Sequence, residues 1–137
     1  MRDTLIKAAM AIIATIAAAA SSPSRAQEMD GKALFLKNCA ACHQPTGKGI
    51  PGAFPALAGN KFVQGQGSEV AAVLLKGRGG MPDFSESLSD RDIATVLTFV
   101  RSNWGNKADG LNEAEVGALR TSLGVDPFGN TAMSNKH

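Results

Sequence analysis

Cysteine occurs twice in the 137-residue chain, and both copies fall in one run of five, Cys39-Ala40-Ala41-Cys42-His43. Thiols three positions apart lie on one side of a helical turn, within reach of two vinyl groups on adjacent pyrroles of a porphyrin. The following residue, His43, then offers an imidazole nitrogen to the iron. Thioether formation and an axial ligand are thus delivered together, which is the c-type haem attachment pattern. Three other chemistries use parts of the run. A disulfide is the default for two exported cysteines, and a thioredoxin-like redox pair has the same spacing but opens a helix after a buried strand. No strand-like run precedes Cys39. A structural zinc site wants four ligands, and beyond Cys39, Cys42 and the adjacent His43 the sequence offers only His137.

The ends of the chain set the compartment. Arg2 and Lys7 precede an unbroken small and apolar run over residues 8–20, and Pro23 and Ser24-Arg25-Ala26 follow. That pattern predicts a signal peptide over residues 1–26, cleaved before Gln27, and a periplasmic location. The run falls short of the roughly 20 residues that span a bilayer, so an uncleaved anchor is the lesser reading and no stable membrane span is expected afterwards. Losing Arg2, Lys7, Arg25 and Asp3 cancels the formal net charge of +2. The basic balance therefore belongs to the leader and implies no nucleic-acid partner. What remains is polarised: Lys32, Lys37, Lys48, Lys61, Lys76 and Arg78 dominate the first half, and acids dominate the second. With no Tyr and one Trp, a core of side chains alone would be thin for one small domain.

The elements that position the motif read as helices. Asp30 caps an expected helix over residues 31–41, with Gly31, Phe35 and Cys39 on one face. Residues 44–67 are rich in Gly and Pro and read as loops. Ser68 is the expected cap of a helix over residues 69–76, ended by Gly77, and Gly77-Arg78-Gly79-Gly80 leads to Met81. Leu88, Ser89, Asp92 and Ile93 form a capping box with a hydrophobic staple, opening a helix whose stripe is Ile93, Val96, Leu97 and Val100. Asn112 with Glu115 signals one more capped start, with Val116 and Leu119 as its apolar contacts, and residues 124–137 read as a tail.

Across nearly all of residues 30–106 the chain resembles a class I c-type cytochrome. The likeness rests on Gly31 and Phe35, the Cys39-Ala40-Ala41-Cys42-His43 run, and Phe54-Pro55-Ala56-Leu57-Ala58-Gly59-Asn60. It continues through Gly79-Gly80-Met81-Pro82-Asp83-Phe84 and Leu97-Thr98-Phe99-Val100-Arg101-Ser102-Asn103-Trp104-Gly105-Asn106. The last two segments are similar to those of cytochrome subunits serving periplasmic dehydrogenases of alcohols and sugar acids. The resemblance implies an all-α, small cytochrome c fold of about three to five helices wrapped around one covalently attached haem. It also implies a cytochrome c domain over residues 27–106, leaving residues 107–137 as an extension with a short helix and a flexible tail.

Carried over residue by residue, the resemblance makes Cys39 and Cys42 the thioether anchors, His43 the proximal iron ligand and Met81 the distal one. The carbonyl of Pro55 would orient His43, and Gly31 and Phe35 would cross Val96 and Phe99. The plain reading of Met81 is an apolar gap-filler. Two strong axial ligands would close the iron to oxygen and peroxide, so the expected function is electron transfer without substrate chemistry. The expected partners are redox proteins, a dehydrogenase or quinol-oxidising complex on one side and a terminal oxidase or reductase on the other. The competing class is a haem enzyme or small-ligand sensor with a labile distal position.

Overall fold

The computed structural model describes residues 30–129. The expected leader and the last residues of the expected tail lie outside them. Five helices follow in order: α1 (Gly31–Asn38), α2 (Ala40–His43), α3 (Gly67–Lys76), α4 (Asp90–Ser102) and α5 (Glu113–Ser122). Among the described residues there are only isolated β-bridges, Ile50 with Phe54 and Arg78 with Met81. The architecture is all-α, as the cytochrome reading requires.

Helix α4 forms where the signals were strongest. The Ser89 hydroxyl accepts from the Asp92 amide at 3.1 Å and the Asp92 carboxylate accepts from the Ser89 amide at 3.2 Å, so two orphan donors of the first turn are satisfied at once. Behind the cap, Ile93, Val96, Leu97 and Val100 are all buried. Helix α1 crosses this face through Gly31, where an added Cβ would stand 2.5 Å from Cβ of Phe99 and 2.7 Å from the Thr95 carbonyl oxygen. Only a residue without a side chain admits that approach. Beside the crossing Phe35 is fully buried, its ring centroid 5.8 Å from Phe99 and 4.9 Å from Trp104, and Phe99 and Trp104 meet edge-on at 5.4 Å. Such aromatic clusters add to their area burial through ring electrostatics.

Two local expectations are corrected. The first helix does not run unbroken to residue 41: Cys39 sits at φ −123°, ψ −32°, ending α1, and its amide still bonds to the Phe35 carbonyl while Ala40 starts a new turn. Helix α3 starts two residues earlier than the Ser68 cap implied. Gln66 is its cap residue, its carbonyl accepting from Glu69 at 3.1 Å and Val70 at 3.3 Å, with Ser68 inside the first turn. The reason lies at Gly67, which faces the Leu111 side chain so closely that a Cβ there would be 3.1 Å from it.

Helix α5 opens with its own capping box between Asn112 and Glu115, and packs against α3 and α4 with Val116 fully buried. The chain beyond residue 106 therefore contributes to the same core as the helices before it.

Candidate functional site

The five-residue motif folds as one turn around a single carbonyl. The Cys39 carbonyl accepts from Cys42 at 3.2 Å and from His43 at 2.9 Å. Both cysteines are half-buried, and Cys39 packs against the core. Burial first, and the charge on Cys42 second, push the Cys39 thiol up to about 11. Among the described residues no three His, Cys, Asp or Glu side chains gather into a metal-holding group, and His137 lies outside them.

After His43 the chain reverses on itself. Gln44 takes φ 63°, and Gly47 and Gly49 take φ 67° and 61°, a left-handed region that favours glycine. The Gly49 amide donates to the His43 carbonyl at 2.9 Å, and Ile50 and Phe54 exchange backbone bonds at 2.9 and 2.8 Å to close a tight loop. A Cβ on Gly49 would collide with the carbonyls of Phe54 and Pro55, and one on Gly47 would sit 2.6 Å from the Trp104 ring. The loop returns the Pro55 carbonyl oxygen to 2.9 Å from Nδ1 of His43. A carbonyl only accepts, so Nδ1 carries a proton and Nε2 is the ring nitrogen left to offer a lone pair to a metal. Nε2 makes no hydrogen bond among the described residues, although His43 is 7% exposed overall. No buried side-chain nitrogen or oxygen among those residues lacks a partner, so Nε2 reaches accessible space.

The loop that returns to His43 also carries exposed apolar surface. Every residue from 50 to 56 is exposed, and the run Ile50-Pro51-Gly52-Ala53-Phe54-Pro55-Ala56 has no polar side chain. Ile50 is 40% and Phe54 39% exposed, and Phe62, under the Arg78 guanidinium at 4.9 Å, is 38% exposed. An exposed apolar ribbon in the segment that follows two thiols and an imidazole fits a large flat apolar group with a metal at its centre. The donor set and the surface both suit haem.

Met81 is half-buried against the core and sits at the tip of a loop leaving α3. Arg78 and Met81 exchange two backbone bonds at 3.0 Å, and the Phe84 amide donates to the Leu74 carbonyl at 2.7 Å. Gly77 at φ 72° is required, since a Cβ would stand 2.8 Å from the Met81 carbonyl oxygen and 3.0 Å from the Asp83 nitrogen. The Ser85 hydroxyl, and then its amide, hold the exposed Asp83 carboxyl below its ordinary range. Lys32, Lys37, Lys48, Lys61, Lys76 and Arg78 are all exposed.

A family model described as cytochrome c oxidase, cbb3-type, subunit III matches residues 26–100. The chain belongs to this c-type cytochrome family. Membership implies covalently bound haem c, which the Cys39, Cys42 and His43 arrangement suits. The chain is 38% identical, over 77% of its length, to the cytochrome c subunit of alcohol dehydrogenase (quinone) from Gluconacetobacter polyoxogenes, of which it covers 25%. It is 28% identical over 66% of its length to the gluconate 2-dehydrogenase cytochrome c subunit of Pantoea cypripedii, covering 24% of that protein. Cytochrome c-552 of Thermus thermophilus is 34% identical over 58% of this chain and 71% of its own. The chain thus spans about a quarter of the dehydrogenase subunits and most of the small cytochrome.

Three buried residues that sequence reasoning left without a role tie distant backbone segments together. Asn106 is buried, its amide nitrogen donating to the carbonyls of Leu57 at 3.0 Å and Val100 at 2.9 Å while its oxygen accepts from Gly59 at 2.9 Å. It fastens the loop after Pro55 to the end of α4. Arg101 reaches the carbonyls of Val63, Gly65 and Asp109 at 2.6, 3.0 and 2.7 Å. Arg120 binds Asp90 at 2.6 Å and three further carbonyls. One signal was present: Arg101 stands four residues after Leu97 and Arg120 four after Val116, each on an otherwise apolar helical face.

Proposed function

We propose that this chain is an electron-transfer protein, or the electron-transfer part of a larger assembly, that carries one electron on a single haem c and performs no substrate chemistry. Cys39 and Cys42 hold the haem through thioethers, and His43 and Met81 are its axial ligands. When bound, haem supplies an iron that alternates between ferrous and ferric states.

The observation that carries this reading is the commitment of His43 Nδ1 to Pro55, which leaves a single nitrogen for a metal immediately after two thiols. Pro55 fixes the tautomer and the ring orientation, and raises the basicity of Nε2. Met81 offers a soft thioether, which favours ferrous iron and raises the potential. The Gly77 turn and the Leu74 anchor hold Met81 in one place, so little rearranges when the charge changes.

Relatives named as cytochrome c subunits of dehydrogenases, and a small cytochrome c-552, support the same role. We read the partners as a dehydrogenase or quinol-oxidising complex and a terminal oxidase or reductase. The exposed lysines and Arg78 would steer an acidic partner, an effect that weakens with salt. We read residues 1–26 as a leader that sends the chain to the periplasm, residues 27–106 as the cytochrome domain and residues 107–137 as an extension. No helix among the described residues is long and apolar enough to cross a membrane.

Ligand exchange tests the reading. The ferric protein should show the weak long-wavelength band of a thioether-bound iron, and the ferrous protein should resist carbon monoxide. Met81→Ala should abolish the band, lower the potential and admit carbon monoxide and cyanide, while Met81→His should keep the potential low and suppress peroxide reactivity. Ready binding of carbon monoxide by the unmutated protein, unchanged by Met81→Ala, would replace the carrier with an enzyme or sensor.

A further inference from the structure

The segment from Gly77 to Ser89 is a strap between α3 and α4 with Met81 near its start. Its first part is tied to α3, through Gly77 on the Val73 carbonyl at 2.8 Å and Phe84 on the Leu74 carbonyl at 2.7 Å. Its second part is tied to α5. Nη1 of Arg120 donates to the Ser85 carbonyl at 2.9 Å, and Nη2 to the Leu88 carbonyl at 3.2 Å. The same guanidinium holds Asp90, the first residue of α4, at 2.6 Å, and the Asp126 carbonyl at 3.1 Å. Arg120 is 3% exposed, so these bonds are made away from water and each is expensive to lose.

The consequence concerns the distal side. An isolated thioether is a weak ligand, and its bond to iron survives only while the backbone keeps it in reach. Ser85 is four residues from Met81; between them the Ser85 amide and hydroxyl donate to Asp83 and the Phe84 amide is fixed on Leu74, while just beyond, Ser87 and Leu88 donate to the Phe84 carbonyl at 3.2 and 2.9 Å. Strain or slack at the Ser85 carbonyl is therefore passed to Met81 through a short, structured piece of chain. We propose that Arg120 is a positioning residue for the distal ligand, and that α5 serves the haem site by locking the Met81 strap through this one guanidinium. The inference rests on Met81 being the axial ligand.

Arg101 supplies an internal comparison. It is equally buried and also binds backbone carbonyls, but on Val63, Gly65 and Asp109, none of them in the strap. A purely structural arginine at position 120 would behave like it.

The test uses the full-length haem-loaded ferric protein with imidazole as the competing ligand, at saturating imidazole, where the exchange rate reports opening of the strap. Arg120→Gln should raise that rate on the order of tenfold or more, weaken the thioether band and lower the potential. Arg101→Gln should lower the unfolding midpoint yet leave band and exchange rate as in the unmutated protein. If Arg120→Gln does not fold, Arg120→Lys carries the test, since lysine retains a charge for Asp90 but lacks the fork that reaches Ser85 and Leu88 together. Unchanged exchange and band in the folded Arg120 variant, or an equal effect from Arg101→Gln, overturns the inference. Met81→Ala is run alongside: a band that survives it removes the ligand reading itself, whereas a band lost in Met81→Ala and untouched by Arg120 substitution removes only the role of Arg120.

Discussion

The Pro55 carbonyl oxygen stands 2.9 Å from Nδ1 of His43, twelve residues away in sequence, and a single glycine makes that contact possible. Gly49 lies under both carbonyls of the Phe54-Pro55 turn at φ 61°, where a Cβ would be 2.5 Å from the Pro55 oxygen. Gly49→Ala therefore has to move the very group that orients the imidazole. We expect a loss of about 1–3 kcal/mol of stability, together with a raised potential, because a His43 ring that loses its acceptor donates less strongly through Nε2 and favours ferric iron less. Gly52→Ala is the matched control: φ is 81°, but nothing lies within 4 Å of its Cβ. That variant should show the backbone cost alone. Chemical denaturation and potentiometry on both proteins check the pair, and equal potentials would remove the special role of Gly49.

The crossing of α1 over α4 depends in the same way on Gly31. An added side chain meets Cβ of Phe99 and the Thr95 carbonyl, one a branch point close to the backbone and the other backbone itself, so neither can swing aside. Gly31→Val should force the helices apart and cost about 1–3 kcal/mol by overpacking. The denaturation midpoint should fall with the slope unchanged, and the fluorescence of Trp104, which packs at an angle against Phe35 and edge-on to Phe99, should report the loosened cluster.

Asn106 closes three backbone groups at once, and replacing it by Ala leaves the Leu57 and Val100 carbonyls and the Gly59 amide without it. The expected cost is about 2–3 kcal/mol. Asn106→Asp should be worse than Ala at neutral pH despite its shape, because a carboxylate would point an acceptor at two acceptors. Thermal or denaturant unfolding of the two variants decides the order.

Much of this was legible in the sequence, and the parts that were not share a physical cause. Ser89 with Asp92, and Asn112 with Glu115, announce α4 and α5 because capping is local chemistry between residues three apart. The apolar stripe of α4 is likewise periodic and short-ranged. The break of the first helix at Cys39 was not legible, since no glycine or proline marks it and the carbonyl of Cys39 simply serves a second, tighter turn. Ser68 misled because a better cap residue in isolation yielded to the packing of Gly67 on Leu111. Arg101, Asn106 and Arg120 bond to carbonyls up to 49 residues away, and no local rule announces such partners.

The most direct measurement is of the attachment itself. The chain is produced where haem can be ligated, extracted with acid acetone, and its thiols are treated with an alkylating reagent under denaturing conditions. Haem held by Cys39 and Cys42 should stay with the polypeptide, adding the mass of one group and leaving neither thiol to react, and the Cys39→Ala, Cys42→Ala double variant should yield little folded protein because the group's binding energy is part of folding. Release of the haem into the organic phase, with both Cys39 and Cys42 alkylated, would contradict it.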